Sequence, residues 1–141
     1  MQRKASAIWQ GNLKNGSGSV STESGVLKQI QYSFKTRFEK GIGTNPEELL
    51  AAAHAGCFAM ALSNELGNAG ITPEKLEATA TISLENVKEG FSITKSHLDL
   101  VAYIPGADKT KFDKAVNAAK AGCPVSKLFN AEITISTRLE S

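Results

Sequence analysis

Thr44-Asn45-Pro46-Glu47-Glu48-Leu49-Leu50-Ala51-Ala52-Ala53-His54-Ala55-Gly56-Cys57-Phe58-Ala59-Met60-Ala61-Leu62 is the stretch on which the fold turns. It opens with the marks of a helix N-terminus. Thr44 or Asn45 can serve as the N-cap, Pro46 suits the first turn, and Glu47 or Glu48 supplies a capping-box carboxylate that also favours the helix dipole. From Leu49 to Leu66 nearly every residue is Ala, Leu, Gly, Met, Phe or Cys, so the helix is apolar almost all round. Such a helix is central and not a surface cover. Its many small residues would let a second backbone come close, and Gly67 and Gly70 are read as its end.

On the N-terminal side the chain reads as strands. Ala7–Gln10 and Ser19–Thr22 flank Lys14-Asn15-Gly16, and Asn-Gly is a strong turn signal. Tyr32-Ser33-Phe34-Lys35-Thr36-Arg37-Phe38 alternates aromatic with polar residues, which predicts a half-buried strand, broken by Gly41-Ile42-Gly43. On the C-terminal side, Ala78–Leu84 and Phe91–Ile104 predict two strands joined by a turn at 86–90. Leu98, Leu100, Ala102 and Ile104 share one face, and Ile93 is out of phase with them, so a bulge is expected near Lys95–Ser96. A second helix over about Lys109–Ala121 aligns Phe112, Ala115, Val116 and Ala119. Gly122 ends it, Cys123-Pro124-Val125-Ser126 begins a further turn, and Ala131–Leu139 forms a last strand. The order predicts an α+β fold with largely antiparallel sheets around the apolar helix, in one domain over residues 1–141.

The composition excludes several classes. The chain has 141 residues with 41% hydrophobic and 21% charged residues, which is ordinary for a globular domain. Sixteen Lys and Arg against fourteen Asp and Glu leave a net charge of +2 with no run of like charge, so neither nucleic acid nor a membrane surface is expected as partner. The longest apolar run, Leu49–Leu62, has 14 residues and falls short of the ~20 that span a bilayer. No secretory leader is expected from Met1-Gln2-Arg3-Lys4, and two cysteines are too few for a disulfide framework. A cytoplasmic chain with reduced thiols is expected.

Each thiol has two readings. Cys57, mid-helix among apolar residues, is an inert small hydrophobe or a reactive group held dry. Cys123 is a turn cysteine of no consequence, or it occupies an N-cap position where backbone N–H groups favour the thiolate. His54, Cys57, His97 and Cys123 are conceivable metal ligands, but no C-x-x-C or H-x-x-x-H spacing supports zinc, so no metal or cofactor is expected. His54 reads better as a helix-packing or interface residue. There is no G-x-S-x-G and no Gly-rich phosphate loop.

Gly43-Thr44-Asn45-Pro46-Glu47-Glu48-Leu49-Leu50-Ala51-Ala52-Ala53-His54-Ala55-Gly56-Cys57-Phe58 and Ala119-Lys120-Ala121-Gly122-Cys123-Pro124-Val125-Ser126 together resemble the OsmC/Ohr family of bacterial organic hydroperoxide reductases. Val20–Leu27 and Thr36-Arg37-Phe38 resemble its OsmC (osmotically inducible protein C) branch more than the Ohr branch. The resemblance covers essentially the whole chain. It implies a stress-response peroxidase with Cys57 as the attacking thiol, Cys123 as the resolving thiol, Arg37 as the cation that favours the Cys57 thiolate, and Glu47 as the carboxylate holding Arg37. It further implies organic hydroperoxide as substrate, and a dithiol reductant, with which lipoyl-type dithiols are associated in the family. Without the resemblance Arg37 is an ordinary strand residue and Glu47 a helix-capping carboxylate.

One expectation comes from helix arithmetic. Glu47 and Cys57 are ten residues apart on one helix, about 15 Å along its axis. Two antiparallel copies of the helix about a two-fold axis could bring Glu47 of one protomer to Cys57 of the other, so an intertwined homodimer with two composite sites is expected. The alternative is a non-catalytic stress or ligand-binding dimer of the same fold whose thiols are idle.

Overall fold

A computed structural model describes all residues, 1–141. The chain falls into two compact units, Met1–Leu49 and Leu50–Ser141.

The first unit carries a three-stranded antiparallel sheet of β1 (Ala5–Gln10), β2 (Ser17–Thr22) and β3 (Ile30–Tyr32), in that order. Ile8 pairs with Ser19 and Val20 with Ile30, and the Trp9 and Tyr32 rings meet at 5.4 Å. The β1–β2 loop is longer than a two-residue turn. Asn12 organises it, its carbonyl accepting from Gly16 N and its side chain from Asn15 N, both at 2.8 Å.

The strand expected over 32–38 is not there. Only Tyr32 belongs to β3, and Phe34–Phe38 forms a short helix, α1. Its cause is local. Ser33 Oγ accepts from Thr36 N at 3.3 Å while Thr36 Oγ1 accepts from Ser33 N at 2.8 Å, a reciprocal capping box in which threonine does the work usually given to Glu or Gln. The aromatic spacing that resembled a strand also suits a helix, since Phe34 and Phe38 are i, i+4 neighbours with rings 4.8 Å apart.

α2 runs Pro46–Asn68. Asn45 is the N-cap, accepting from Glu48 N at 2.7 Å. Glu48 takes the Thr44 hydroxyl at 2.8 Å, leaving Glu47 free for another partner. Gly67 lies inside the helix, and Gly70 (φ +77°) ends it. The Gly70 N to Gly67 O and Ile71 N to Leu66 O bonds, at 3.0 and 2.9 Å, are those of a Schellman cap. Counted over all 23 residues, α2 is long and apolar enough to cross a membrane by length and composition alone, more than the 14-residue stretch Leu49–Leu62, which contains His54, suggests. It is not uniformly buried, however. His54, Phe58, Leu62 and Leu66 form one fully buried row at i, i+4 spacing, whereas Ala52, Ala53, Gly56 and Met60 are exposed.

In the second unit β4 (Lys75–Val87) pairs antiparallel with β5 (Gly90–Tyr103) through a tight turn at Lys88-Glu89. Thr94 is the extra residue of the expected bulge, because Ser83 faces Lys95 while Leu84 faces Ile93. α3 (Lys109–Gly122) and α4 (Pro124–Leu128) then carry the chain to β6 (Glu132–Glu140), which pairs parallel to β5. That pair departs from the antiparallel expectation, and the helical crossover between the two strands is what allows it. Phe58, Leu62 and Leu66 of α2 join Leu98, Leu100, Ala102 and Ile104 of β5 and its end, and Phe112, Ala115, Val116 and Ala119 of α3, in one core. Burying an aliphatic side chain of this kind contributes about 1.5–3 kcal/mol.

Candidate active site

In the first unit, the α1 capping box sets the orientation of Arg37. Its Nε and Nη2 both donate to Glu47 Oε1, at 3.1 and 2.8 Å. Glu47 stands in the first turn of α2, where the helix N-terminus favours its charge. Its residue is buried, and Oε2 has no hydrogen-bond partner. Asn45 ties the two elements together, donating from Nδ2 to Thr36 O at 2.9 Å. Gly43 (φ +130°) is required here, since a Cβ would lie 2.2 Å from Gln31 O. Beside Arg37 lies a cleft of about 260 Å³ lined by Trp9, Leu13, Tyr32, Phe34, Phe38 and Pro46. The guanidinium itself lies over the Phe38 ring, 5.4 Å from its centre. Arg37 and Glu47, linked in the sequence only through the family resemblance, thus form a direct ion pair.

In the second unit, the two thiols are free and each shifts the other's pKa. Cys57 is half-buried on α2, and Cys123 is fully buried at the junction of α3 and α4. Cys123 is the N-cap residue of α4, as its place before Pro124 suggested. Burial pushes the Cys57 thiol up from its ordinary value, and the hydrogen bond to Cys123 pushes it further, against a smaller opposite effect of the Val125 backbone. At Cys123 burial is again the largest single influence and pushes upward. The hydrogen bond with Cys57, the Ser126 backbone and hydroxyl, and the Val125 backbone together outweigh it, so this thiol lies below its ordinary value. Within one chain, then, the two thiols are pushed in opposite directions, Cys57 up and Cys123 down.

Sequence reasoning passed over the serines around His54. The imidazole is fully buried, with Nδ1 2.7 Å from Ser96 Oγ and Nε2 2.8 Å from Ser126 Oγ. Its ring meets Phe129 edge to face at 4.9 Å. Burial lowers its pKa and so favours the neutral ring. A signal for Ser96 existed: it continues the inward row of Leu98, Leu100, Ala102 and Ile104, where a serine must find a buried partner. His97 lies elsewhere, with Nδ1 2.5 Å from Thr134 Oγ1 and Nε2 3.4 Å from Asp99. No three His, Cys, Asp or Glu side chains cluster as a metal site would require.

Comparison with known proteins gives a consistent result. The OsmC-like protein family matches residues 38–138. Peroxiredoxin OsmC of Escherichia coli (strain K12) is 53% identical over 141 residues, covering 100% of this chain and 99% of that protein. The organic hydroperoxide resistance protein OhrB of Bacillus subtilis (strain 168) is 29% identical over 124 residues, 87% of this chain and 89% of its own. The crystal structure of B. subtilis OhrB superposes with a TM-score of 0.68 at 27% identity, covering 97% of this chain and 98% of that one. An OsmC-like protein from Mycoplasma pneumoniae shares the fold at a TM-score of 0.77 and 18% identity, covering 100% and 99%.

Proposed function

The chain belongs to the OsmC family, and we propose the following course for its action as a cysteine-based peroxidase on organic hydroperoxides. The Cys57 thiolate attacks the O–O bond of ROOH. The sulfur takes the terminal oxygen, RO⁻ leaves and is protonated to ROH, and Cys57 becomes a sulfenic acid. The Cys123 thiolate then attacks the Cys57 sulfur, expelling hydroxide, which is protonated to water, and a Cys57–Cys123 disulfide forms. A dithiol reductant, for which a lipoyl-type dithiol is suitable, returns both thiols by exchange.

The observation that carries this reading is a half-buried free Cys57 neighbouring a buried free Cys123 whose thiol is pulled below its ordinary value. A buried thiol of lowered pKa beside a half-buried one is arranged for resolution. Access divides the roles: only Cys57 is open enough to meet a hydroperoxide. Its raised pKa calls for a cation at the first step. We assign that role to Arg37, held by Glu47, of a second protomer. Helix arithmetic keeps Glu47 and Cys57 of one straight helix about 15 Å apart. The exposed stripe of Ala52, Ala53, Gly56 and Met60 on α2 supports close packing of two copies, and the unpartnered Oε2 of Glu47 leaves an acceptor for a group from the partner. The aromatic cleft beside Arg37 would then receive the apolar R group, which favours organic hydroperoxides over hydrogen peroxide.

Residues 1–141 act in this reading as one OsmC-like domain, and the free thiols suit the cytoplasm. Mass spectrometry after one equivalent of cumene hydroperoxide tests it. A Cys57–Cys123 disulfide is the expected product; unmodified thiols would point instead to a non-catalytic binding dimer.

A further inference from the structure

The second unit contains a continuous polar chain inside an apolar core. Ser96 on β5 touches His54 Nδ1 at 2.7 Å, His54 Nε2 touches Ser126 at 2.8 Å, and Ser126 stands in the first turn of α4, the helix that Cys123 caps, where its hydroxyl and Cys57 both lower the Cys123 pKa. The imidazole is held at both nitrogens and by the Phe129 ring, so it has no freedom to turn. His54 also stands one helical turn before Cys57. No ionic group accounts for the arrangement. Burial lowers the His54 pKa, and within the chain Cys57 is the titratable group that shifts Cys123. Within the chain, a charge on Cys123 therefore has to be stabilised by neutral donors.

We propose that His54 is a positioning residue for the resolving step, acting through Ser126 to hold Cys123 ready as the thiolate that attacks Cys57. The proposal rests on the peroxidase reading above. Hydrogen-bond bookkeeping sets the directions. With Cys123 ionised, Ser126 donates its O–H to the sulfur, its oxygen accepts from His54 Nε2–H, and Nδ1 accepts from the Ser96 O–H. Every hydrogen along the chain then points toward the sulfur, and successive bonds polarise one another in the low-dielectric core. With Cys123 protonated, the whole chain reverses: S–H to Ser126, Ser126 O–H to Nε2, and Nδ1–H to Ser96. His54 stays neutral in both states and changes only its tautomer, which suits a ring that burial keeps uncharged.

The step balances. The S–S bond forms as the S–O bond of the Cys57 sulfenic acid breaks, with Cys123 oxidised and the sulfenic sulfur reduced. Hydroxide leaves with the electron pair and takes up one proton, equal to the one Cys123 released. During recycling the same network favours Cys123 as the leaving thiolate, since the thiol of lower pKa leaves faster.

The test titrates thiolate ultraviolet absorbance in Cys57→Ser, where Cys123 is the only thiol. Adding Ser126→Ala is expected to raise the midpoint by about one pH unit, the loss of one hydrogen bond to a charged group. Ser126→Thr, which keeps the hydroxyl, should restore it. Adding His54→Phe should raise the midpoint in the same direction by a smaller amount, and an unchanged midpoint in that variant, folded by circular dichroism, overturns the proposal. Should His54→Phe fail to fold, Ser96→Ala takes its place, because Ser96 reaches the thiol only through Nδ1. A raised midpoint there supports the relay and an unchanged one overturns it. In the two-cysteine protein, one equivalent of cumene hydroperoxide should leave more Cys57 sulfinic acid and less disulfide in Ser126→Ala than in the unaltered chain. If the unaltered chain never oxidises Cys57, the peroxidase reading falls. A flat titration beside an oxidisable Cys57 overturns the relay alone.

Discussion

Arg37 places Nε and Nη2 on a single oxygen of Glu47, at 3.1 and 2.8 Å, and leaves the other carboxylate oxygen buried and unpartnered. The guanidinium is thereby fixed in direction while remaining part-exposed, 38% at the side chain, and available to an anion. A lysine in its place would keep the charge and lose the two-pronged grip.

Arg37→Met is therefore expected to slow oxidation of Cys57 about 10- to 100-fold, the effect of removing a cation worth one to two pKa units on a thiolate. Arg37→Lys should recover only part of the rate. Stopped-flow oxidation in the Cys123→Ser background reads the first step alone, and an Arg37→Met rate equal to that of the parent would dismiss Arg37 from the site.

The two cysteines should fail differently. Cys57→Ser is expected to abolish turnover. Cys123→Ser should permit one oxidation and then pass to sulfinic and sulfonic acid at Cys57, because no thiol is left to trap the sulfenic acid. Peroxidase activity persisting in Cys57→Ser with a dithiol reductant would contradict the assignment.

Acid should destabilise the fold through His54. Its pKa in the folded chain is lowered from 6.5, so the unfolded chain binds the proton first as pH falls. The His54 contribution is fully present above 6.5 and is lost as pH drops below that value toward the folded-state pKa. His54→Gln, which cannot titrate, should show a flatter melting temperature across that window. Identical slopes in the two proteins would remove His54 as the cause.

Core truncation gives a scale for the fold. Leu62 and Leu66 are fully buried on the inner row of α2, so Leu62→Ala should cost about 2–5 kcal/mol in urea unfolding. Met60→Ala, on the outer face at 77% exposure, should cost much less in an isolated chain.

That outer face also tests assembly. Met60→Glu puts a charge into the stripe of Ala52, Ala53 and Gly56 proposed to pack against a second copy. It is expected to shift the protein from dimer to monomer in light scattering and to slow Cys57 oxidation with it. A monomeric Met60→Glu that keeps full peroxidase rate would refute the composite site.

What the amino-acid order determined by itself was whatever depends on near neighbours. Asn45, Pro46 and Gly70 bound α2 through contacts within a few residues, and the inward row of β5 follows from the period of two in a strand. Even there, local ambiguity remained. Phe34 and Phe38 fit a strand or a helix equally, and the Ser33–Thr36 capping box, with threonine in place of Glu, decided for the helix. The Cys57 and Cys123 motifs were legible as motifs, and their pairing as a resemblance. Tertiary structure alone decided the rest. It brought Ser96 and Ser126 to His54 across separations of 42 and 72 residues, laid β6 parallel to β5, and pushed one thiol up and the other down. Those outcomes depend on burial and on hydrogen-bond partners from distant segments. No window of sequence contains them, because the low dielectric that gives them force exists only once the core has closed.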